Sequence, residues 1–347
     1  MKDNHNTPDA LKTYDNSADK LQELNSRLTL LNETFGRYLS DEIVRQIMNN
    51  PGGLELGGVK KTLTIMQSDL RGFTAMSERM PADRLITMLN YYIARMTECI
   101  SRHHGTIIDF IGDGIMVIFG APRQSANHAS DAIAAAIDME CHMDEVNAWN
   151  EANGFPEFKM GIGISTGEVI VGNIGCERHM KYGVVGSSVN LAGRIESYAV
   201  GGQILISEAT RQMADTELEI ANVMTVSPKG LSGTVNLYDV TGIGGDYCLF
   251  CDTRRETPAP LAVPRAFTYR FIDYKHVEGD IHHGIFTAMS SIGAIITTDA
   301  GLSAFENIVI NASLSKPLYA KVIRPEQDGW YISFTSIPDD IDELLDE

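Results

Sequence analysis

The chain has 347 residues, 44% of them hydrophobic, and a formal net charge of −18. That length allows two or three domains with ample core, and the charge excludes bulk attraction to nucleic acid or an anionic membrane surface. Five scattered cysteines make no secreted disulfide framework, the polar N-terminus (MKDNHNTPDA) is no signal peptide, and no run of about 18 apolar residues is present to span a membrane, so a cytoplasmic protein is expected.

Met1 to Ser17 are polar and read as a disordered tail. Over residues 18–50 a helix is expected, because Leu21, Leu24, Leu28, Leu31, Phe35 and Tyr38 recur at alternating spacings of three and four. That a/d stripe suits a partner helix or packing on its own domain, and both remain open. Ile43, Val44, Ile47 and Met48 continue helical up to Asn49-Asn50-Pro51.

Thr62 to Gln67 alternate polar and apolar side chains, the period of a strand with one buried face. The strand runs into Ser68-Asp69 and a tight turn, Leu70-Arg71-Gly72-Phe73-Thr74, whose Gly lets backbone N–H groups face an anion. A strand-end carboxylate beside such a turn suits a phosphate-bound divalent cation; the bland alternative is that Asp69 caps the turn. A helix from Ala82 to His103 follows, with Leu85, Met88, Leu89, Tyr92, Ile93, Met96 and Ile100 as its core face and Gly105 as its stop. Thr106 to Phe119 (TIIDFIGDGIMVIF) is a hairpin with Asp113 at the tip, in a Gly-Asp-Gly turn that needs no further function to be there. Should it pair beside the Asp69 strand, two carboxylates meet at one sheet edge and can hold two cations for phosphoryl transfer.

Ser130 to Trp149 reads as one Ala-rich helix, and Lys159–Ser165 and Glu168–Ile174 as two strands around Thr166-Gly167. Ser187 or Ser188 can cap a helix running to Ala199. On it Asn190 and Arg194, four apart, share one face, a neutral donor and a cationic fork suited to a ribose and a phosphorus centre, or simply a solvated pair. Gln203–Ser207, Thr216–Val226 and Thr234–Val240 look extended. The order β-α-β-β-α-β is ferredoxin-like, an α+β fold with additions.

Five stretches in order, LTIMQSDLRGFT, HGTIIDFIGDGIMVIFGAP, MGIGISTGEVIVGNIG, YGVVGSSVNLAGRIE and SPKGLSG, resemble the catalytic domain of the class III nucleotidyl cyclases. The resemblance covers Leu54 to about Gly242, within a domain bounded at residues 54–245, and LNETFGRYLSDEIV before it resembles the transducing helix of such enzymes. It implies a lyase that turns a nucleoside triphosphate into a 3′,5′-cyclic nucleotide and pyrophosphate at a homodimer interface, with two Mg²⁺ or Mn²⁺ ions. Asp69 and Asp113 match the metal-binding aspartates, with the Leu70 carbonyl as a further ligand. The turn from Arg71 to Thr74, with Gly72, Phe73 and Thr74 as its binding residues, would cradle phosphates through backbone N–H groups, Lys229 would bind the triphosphate, Asn190 would position the ribose and Arg194 would stabilise the transition state. Family sites take metals from one subunit and Asn and Arg from the other. ATP-using members usually carry Lys four residues before the second metal Asp and Asp or Thr seven before the Asn; here these are Asp109 and Gly183. An ionised Asp only accepts hydrogen bonds, which favours guanine N1 and N2 and so a guanylate cyclase; ATP and pyrimidine triphosphates remain alternatives, as does a non-catalytic nucleotide-binding regulator.

Asp246 to Pro264 reads as a linker containing Cys248 and Cys251, a lone CxxC without a second ligand pair. Residues 265–347 hold several short strands of a small barrel or sandwich. They resemble a PilZ domain at Ser290-Ser291-Ile292-Gly293, but Ala288 stands where that family has an acidic or amide residue. None of Arg254, Arg255, Arg265 and Arg270 matches its arginine pair. Cyclic di-GMP binding, protein docking and dimer support are the roles in play for this segment.

Overall fold

In the computed structural model, which describes residues 20, 22–31, 41–49, 55–228, 233–251, 257–273, 276–327, 329–338 and 340–345, the alternating stretch at 62–67 lies within a longer strand, β1 (Gly57–Leu70). Residues 1–59 with 172–183 form one unit, and residues 60–171 with 184–347 the other.

In the larger unit β1 leads to α3 (Phe73–Ser77), α4 (Ala82–Arg102), β2 (Thr106–Ile111), β3 (Gly114–Phe119), α5 (His128–Cys141), α6 (Met143–Ala152) and β4 (Met160–Cys176). The strands lie in the order β2-β3-β1-β4, which is the ferredoxin-like arrangement. Met66, Ile115, Val117, Ile162 and Ile164 on one face meet Met88, Tyr92, Met96 and Ile100 of α4 and Ile133 and Ile137 of α5, all fully buried or nearly so. The sheet continues through β5 (His179–Val185), α7 (Ser187–Tyr198), β6 (Gln203–Ser207), α8 (Glu208–Met213), β7 (Leu218–Val226), β8 (Val235–Ile243) and β9 (Leu249–Phe250), adding β6-β8-β7 beyond β4. Among the added pairs β6 runs parallel to β4 and antiparallel to β8.

Three expectations change. The Ala-rich helix is two helices, because α5 is buried on every side over His128–Met139 and a straight continuation would bury Asp144, Glu145 and Glu151; His142 ends α5 and starts α6, turning that polar stretch aside. Thr166-Gly167 is no turn: β4 is one strand of 17 residues. Thr166 Oγ1 bonds Thr64 Oγ1 at 2.8 Å and Thr210 Oγ1 at 3.0 Å inside the fold. And α7 is capped by Gly186 without a side-chain bond, not by Ser187 or Ser188, because the Gly186 backbone passes so close to Val169 that no Cβ fits there.

The C-terminal strands close into a barrel, deciding between the two forms the sequence left open. They are β10 (Ala259–Asp273), β11 (His276–Met289), β12 (Gly293–Thr298), β13 (Asn307–Asn311), β14 (Leu318–Glu326) and β15 (Gly329–Ser336), followed by α9 (Asp342–Leu345). The order is β10-β11-β12-β15-β14-β13, with β13 pairing back onto β10. Tyr269, Phe286, Ile296, Ile308, Val322 and Ile332 fill the interior. β10 begins within the stretch read as a linker, of which residues 252–256, including Arg254 and Arg255, lie outside the described residues.

The smaller unit holds α1 (residues 22–31), α2 (Asp41–Asn49) and the far ends of β1, β4 and β5. There Asn173 Nδ2 donates to the Glu55 carbonyl at 3.1 Å. On α1, Leu24, Leu28 and Leu31 are exposed; Leu21, Phe35, Tyr38 and the tail over 1–17 lie outside the described residues. No helix among the described residues is long and apolar enough to cross a membrane.

Gly163 of β4 faces α7 so closely that a Cβ would overlap the backbone of Ala192 and Glu196. Gly163→Ala should therefore force α7 off the sheet and cost ~1–3 kcal/mol, as overpacking does. The midpoint of urea unfolding reads this out, and an unchanged midpoint would show that α7 has slack there.

Candidate active site

The β1–β3 pairing is antiparallel with Ser68 opposite Ile115. It brings the last residues of β1, Asp69 and Leu70, beside the Gly112-Asp113-Gly114 turn. Gly112 takes a left-handed φ of 67° at the tip. The Leu70 N–H donates to Asp113 Oδ2 at 2.9 Å, which fixes the second carboxylate against the first. Burial, and then the Asp113 carboxylate, push Asp69 up from 3.8 to about 7. Burial likewise raises Asp113. Arg71 Nη1 is 3.7 Å from Asp69 Oδ2, and its attraction only partly offsets the upward shift. Two crowded carboxylates at an open sheet edge form an all-oxygen donor set short of positive charge, which fits hard divalent cations.

Beyond Leu70 the chain turns at Gly72, whose φ of 75° is left-handed, and enters α3. The Gly72 carbonyl accepts from Met76 N–H at 3.1 Å, so the amides of Phe73 and Thr74 fall in a first turn, where a helix supplies no acceptor. On α7 the core face is Ser188, Ala192 and Ile195. Asn190 and Arg194 lie on the other side, Asn190 exposed and Arg194 half-buried. Thus Asp69, Leu70, Gly72, Phe73, Thr74 and Asp113 gather at one edge. Asn190 and Arg194 share a helix face, yet no hydrogen bond or ion pair among the described residues joins either to that edge. Asp109 is half-buried in β2, just past a bulge after Ile107. Gly183 belongs to the smaller unit, and Lys229 lies outside the described residues.

Residues 58–242 match the family model of the adenylate and guanylate cyclase catalytic domain. The chain belongs to this cyclase family. It is similar to the guanylyl cyclase Cya2, at 46% identity and a TM-score of 0.55, over 56% of this chain and 99% of that one. It is also similar to the adenylyl cyclase CyaB from P. aeruginosa, at 35% identity and a TM-score of 0.50, over 53% of this chain and 96% of that one. Adenylate cyclase 1 of Rhizobium meliloti (strain 1021) is 30% identical over 60% of this chain, and the match spans only 32% of that protein.

The same edge also holds Glu196 and Lys321, which the sequence reading passed over, and Arg71, whose backbone N–H donates to the Lys159 carbonyl at 2.8 Å and so is not open to a phosphate. Arg71 lies flat on β4 at Gly161, where a Cβ would overlap its guanidinium. Its Nη2 reaches the Glu196 carboxylate at 2.6 Å and the Glu196 carbonyl at 2.9 Å, tying the turn after β1 to α7. Lys321 of the barrel acts on Asp69 as well. The turn placed Arg71 at the site by its backbone, while its side chain is what binds α7; Glu196 and Lys321 carry no local signal. A third polar cluster, Cys99, Asp138 and His142, has its donors engaged by Arg102, at 3.2 Å from Cys99 Sγ, 3.4 Å from Asp138 and 3.3 Å from His142. Cys248 and Cys251 are free thiols.

Asp69 is an acid whose pKa is higher folded than unfolded, so folding favours its protonated form. Its contribution to the stability of the cation-free fold is therefore fully present below the unfolded value of 3.8 and is lost as pH rises towards about 7. The side chain keeps 42% exposure, so solvent screens part of the effect. Asp69→Asn should raise the melting temperature of the EDTA-treated protein at pH 8, with little change at pH 4. Manganese should raise the wild-type melting temperature at pH 8 and leave that of the variant nearly unmoved. Equal responses in the two proteins would remove the carboxylate pair as the cation site.

Proposed function

We propose that this chain is a divalent-cation-dependent nucleotidyl cyclase that acts as a homodimer and converts GTP to cyclic GMP and pyrophosphate. The observation that carries the reading is the Asp69–Asp113 pair at one sheet edge, with the first turn of α3 beside it. Bound cations would supply positive charge to the triphosphate and acidify the ribose 3′ hydroxyl. Asp69, Asp113 and the Leu70 carbonyl would hold them, and the Phe73 and Thr74 amides would bind phosphate oxygens as donors. Lys229 is assigned to the triphosphate as the family implies. From a second copy, Asn190 would orient the ribose and Arg194 would meet the charge that develops on the α-phosphate.

Association of two copies is supported by the exposed leucines of α1 and, in the larger unit, by exposed Phe110, Ile111, Ile170 and Val185 near the β2–β3 tip and the start of α7. Exposed apolar side chains of this size suit a subunit interface. Domain limits of 54–245 for the cyclase and 265–347 for the barrel complete the reading. The barrel is taken as a PilZ-like fold used for protein contact. Ser290 uses its groups within its own turn, its N–H and Oγ meeting the Gly293 carbonyl at 2.8 and 3.2 Å.

For the base, Asp109 would accept from guanine N1 and N2, and the 46% identity to a guanylyl cyclase supports the same choice. An ATP reading draws on relatives named adenylate cyclase. Gly183 brings no side chain to the choice, so discrimination should fall below the roughly 10⁴ of sites built on paired hydrogen bonds. Purified protein with manganese and each of the four ribonucleoside triphosphates, with products separated by chromatography, should yield chiefly cyclic GMP. Asp109→Lys should move the ratio of kcat/KM values towards ATP, and Asp113→Ala should abolish turnover in a folded protein. A wild-type preference for ATP or a pyrimidine nucleotide would overturn the guanylate reading; activity in Asp113→Ala would overturn the site.

A further inference from the structure

β14 turns Leu318, Ala320 and Val322 into the barrel interior, so alternation puts Lys321 on the outer wall. An outward lysine normally ends in water, yet Lys321 is 4% exposed. Its Nζ donates to the Ser197 carbonyl at 2.6 Å and the Ala199 carbonyl at 3.2 Å. Ser197 lies in the last turn of α7, where a helix leaves carbonyls without acceptor bonds and its dipole favours a cation, and Ala199 is the extended C-cap just beyond it. The charged groups facing Lys321 are Arg71, Glu196 and Asp69.

A second barrel residue reaches the same turn. Phe305 sets its ring edge-on to Tyr198, with centroids 4.8 Å apart and planes at 76°, and packs on a cluster that includes Ile195, Ala199 and Leu205. It does so at a backbone φ of 71°, a left-handed conformation that a bulky residue keeps only where its surroundings over-determine it. The Phe305 N–H donates to the Val322 carbonyl at 2.6 Å, and the Val322 N–H to the Glu306 carbonyl at 2.8 Å. The strained loop and the buried lysine are thus parts of one device, built on adjacent residues of β14.

We propose that the barrel clamps the last turn of α7 and so sets where Asn190 and Arg194 stand for cyclisation, with Lys321 and Phe305 as positioning residues. The inference rests on the reading of Asn190 and Arg194 given above. The link to them is short: Ser197, whose carbonyl Lys321 holds, donates its Oγ to the Arg194 carbonyl at 2.7 Å. A shift at the end of a helix this short carries rigidly to residues one and two turns upstream. Docking of the barrel then governs turnover without touching nucleotide, which gives the C-terminal domain a role in this enzyme and names the cyclase core of its own chain as its protein partner.

Three variants of the full chain test this. Lys321→Met keeps the stem and removes the charge, Lys321→Arg keeps the charge, and Phe305→Gly removes the ring while suiting the left-handed φ. Lys321→Met and Phe305→Gly should each lower kcat about ten-fold with KM changed less than about three-fold, the signature of an interaction made only in the transition state. Lys321→Arg should recover most of the loss, which a merely structural role would not require. Wild-type kcat in Phe305→Gly overturns the clamp, whether Lys321→Met folds or not. Arg194→Ala, run alongside, separates the two readings. If it keeps wild-type activity, the reading of α7 fails. If it is inactive while the clamp variants match wild type, this inference alone fails.

Discussion

The register of β1 against β3 is the constraint on which the rest depends. With Ser68 opposite Ile115, Asp69 and Asp113 must share an edge, where burial raises both and the Asp113 carboxylate raises Asp69 further. The sheet holds them there because Met66, Ile115 and Val117, on the same two strands, are buried against α4 and α5. Each such side chain stabilises by about 1.5–3 kcal/mol, while the repulsion is screened on the open side of Asp69. A one-residue slip would reverse every side chain on β1 and lose the whole of that burial.

The second element of the site, α7, is held from below and from its C-terminal end. Gly163 lets it settle directly on β4, Arg71 grips it at Glu196, and the barrel grips its last turn through Lys321. These contacts leave the face with Asn190 and Arg194 turned outward. A helix fixed this firmly, whose Asn190 and Arg194 side chains make no hydrogen bond or ion pair to the carboxylate edge among the described residues, suits a site completed by another copy. The same fixings also make it sensitive to events in the barrel.

How much of this the sequence disclosed follows the range of the interactions. The alternation at 62–67 and the Gly-Asp-Gly hairpin are local signals, and both survived with their carboxylates adjacent. The apolar face of α4 was equally plain, and its end came out at Arg102. The break at His142 was hidden because it answers to burial around α5, which periodicity within a single helix does not show. Thr166-Gly167 imitated a turn, since the Thr64 and Thr210 hydroxyls that hold Thr166 in the sheet are far away in the chain. Lys321 was the least legible: its contact with Ser197 spans 124 residues, and in its own strand it reads as an ordinary outward lysine.

The central claim is that the carboxylates of one copy work with Asn190 and Arg194 of another. Mixing Asp69→Ala with Arg194→Ala, each inactive alone, tests it most directly. Where subunits exchange, as shown by differently tagged copies purifying together, one complete site per mixed dimer should restore part of the wild-type rate. Absence of recovery despite demonstrated exchange would mean that each copy carries its own site.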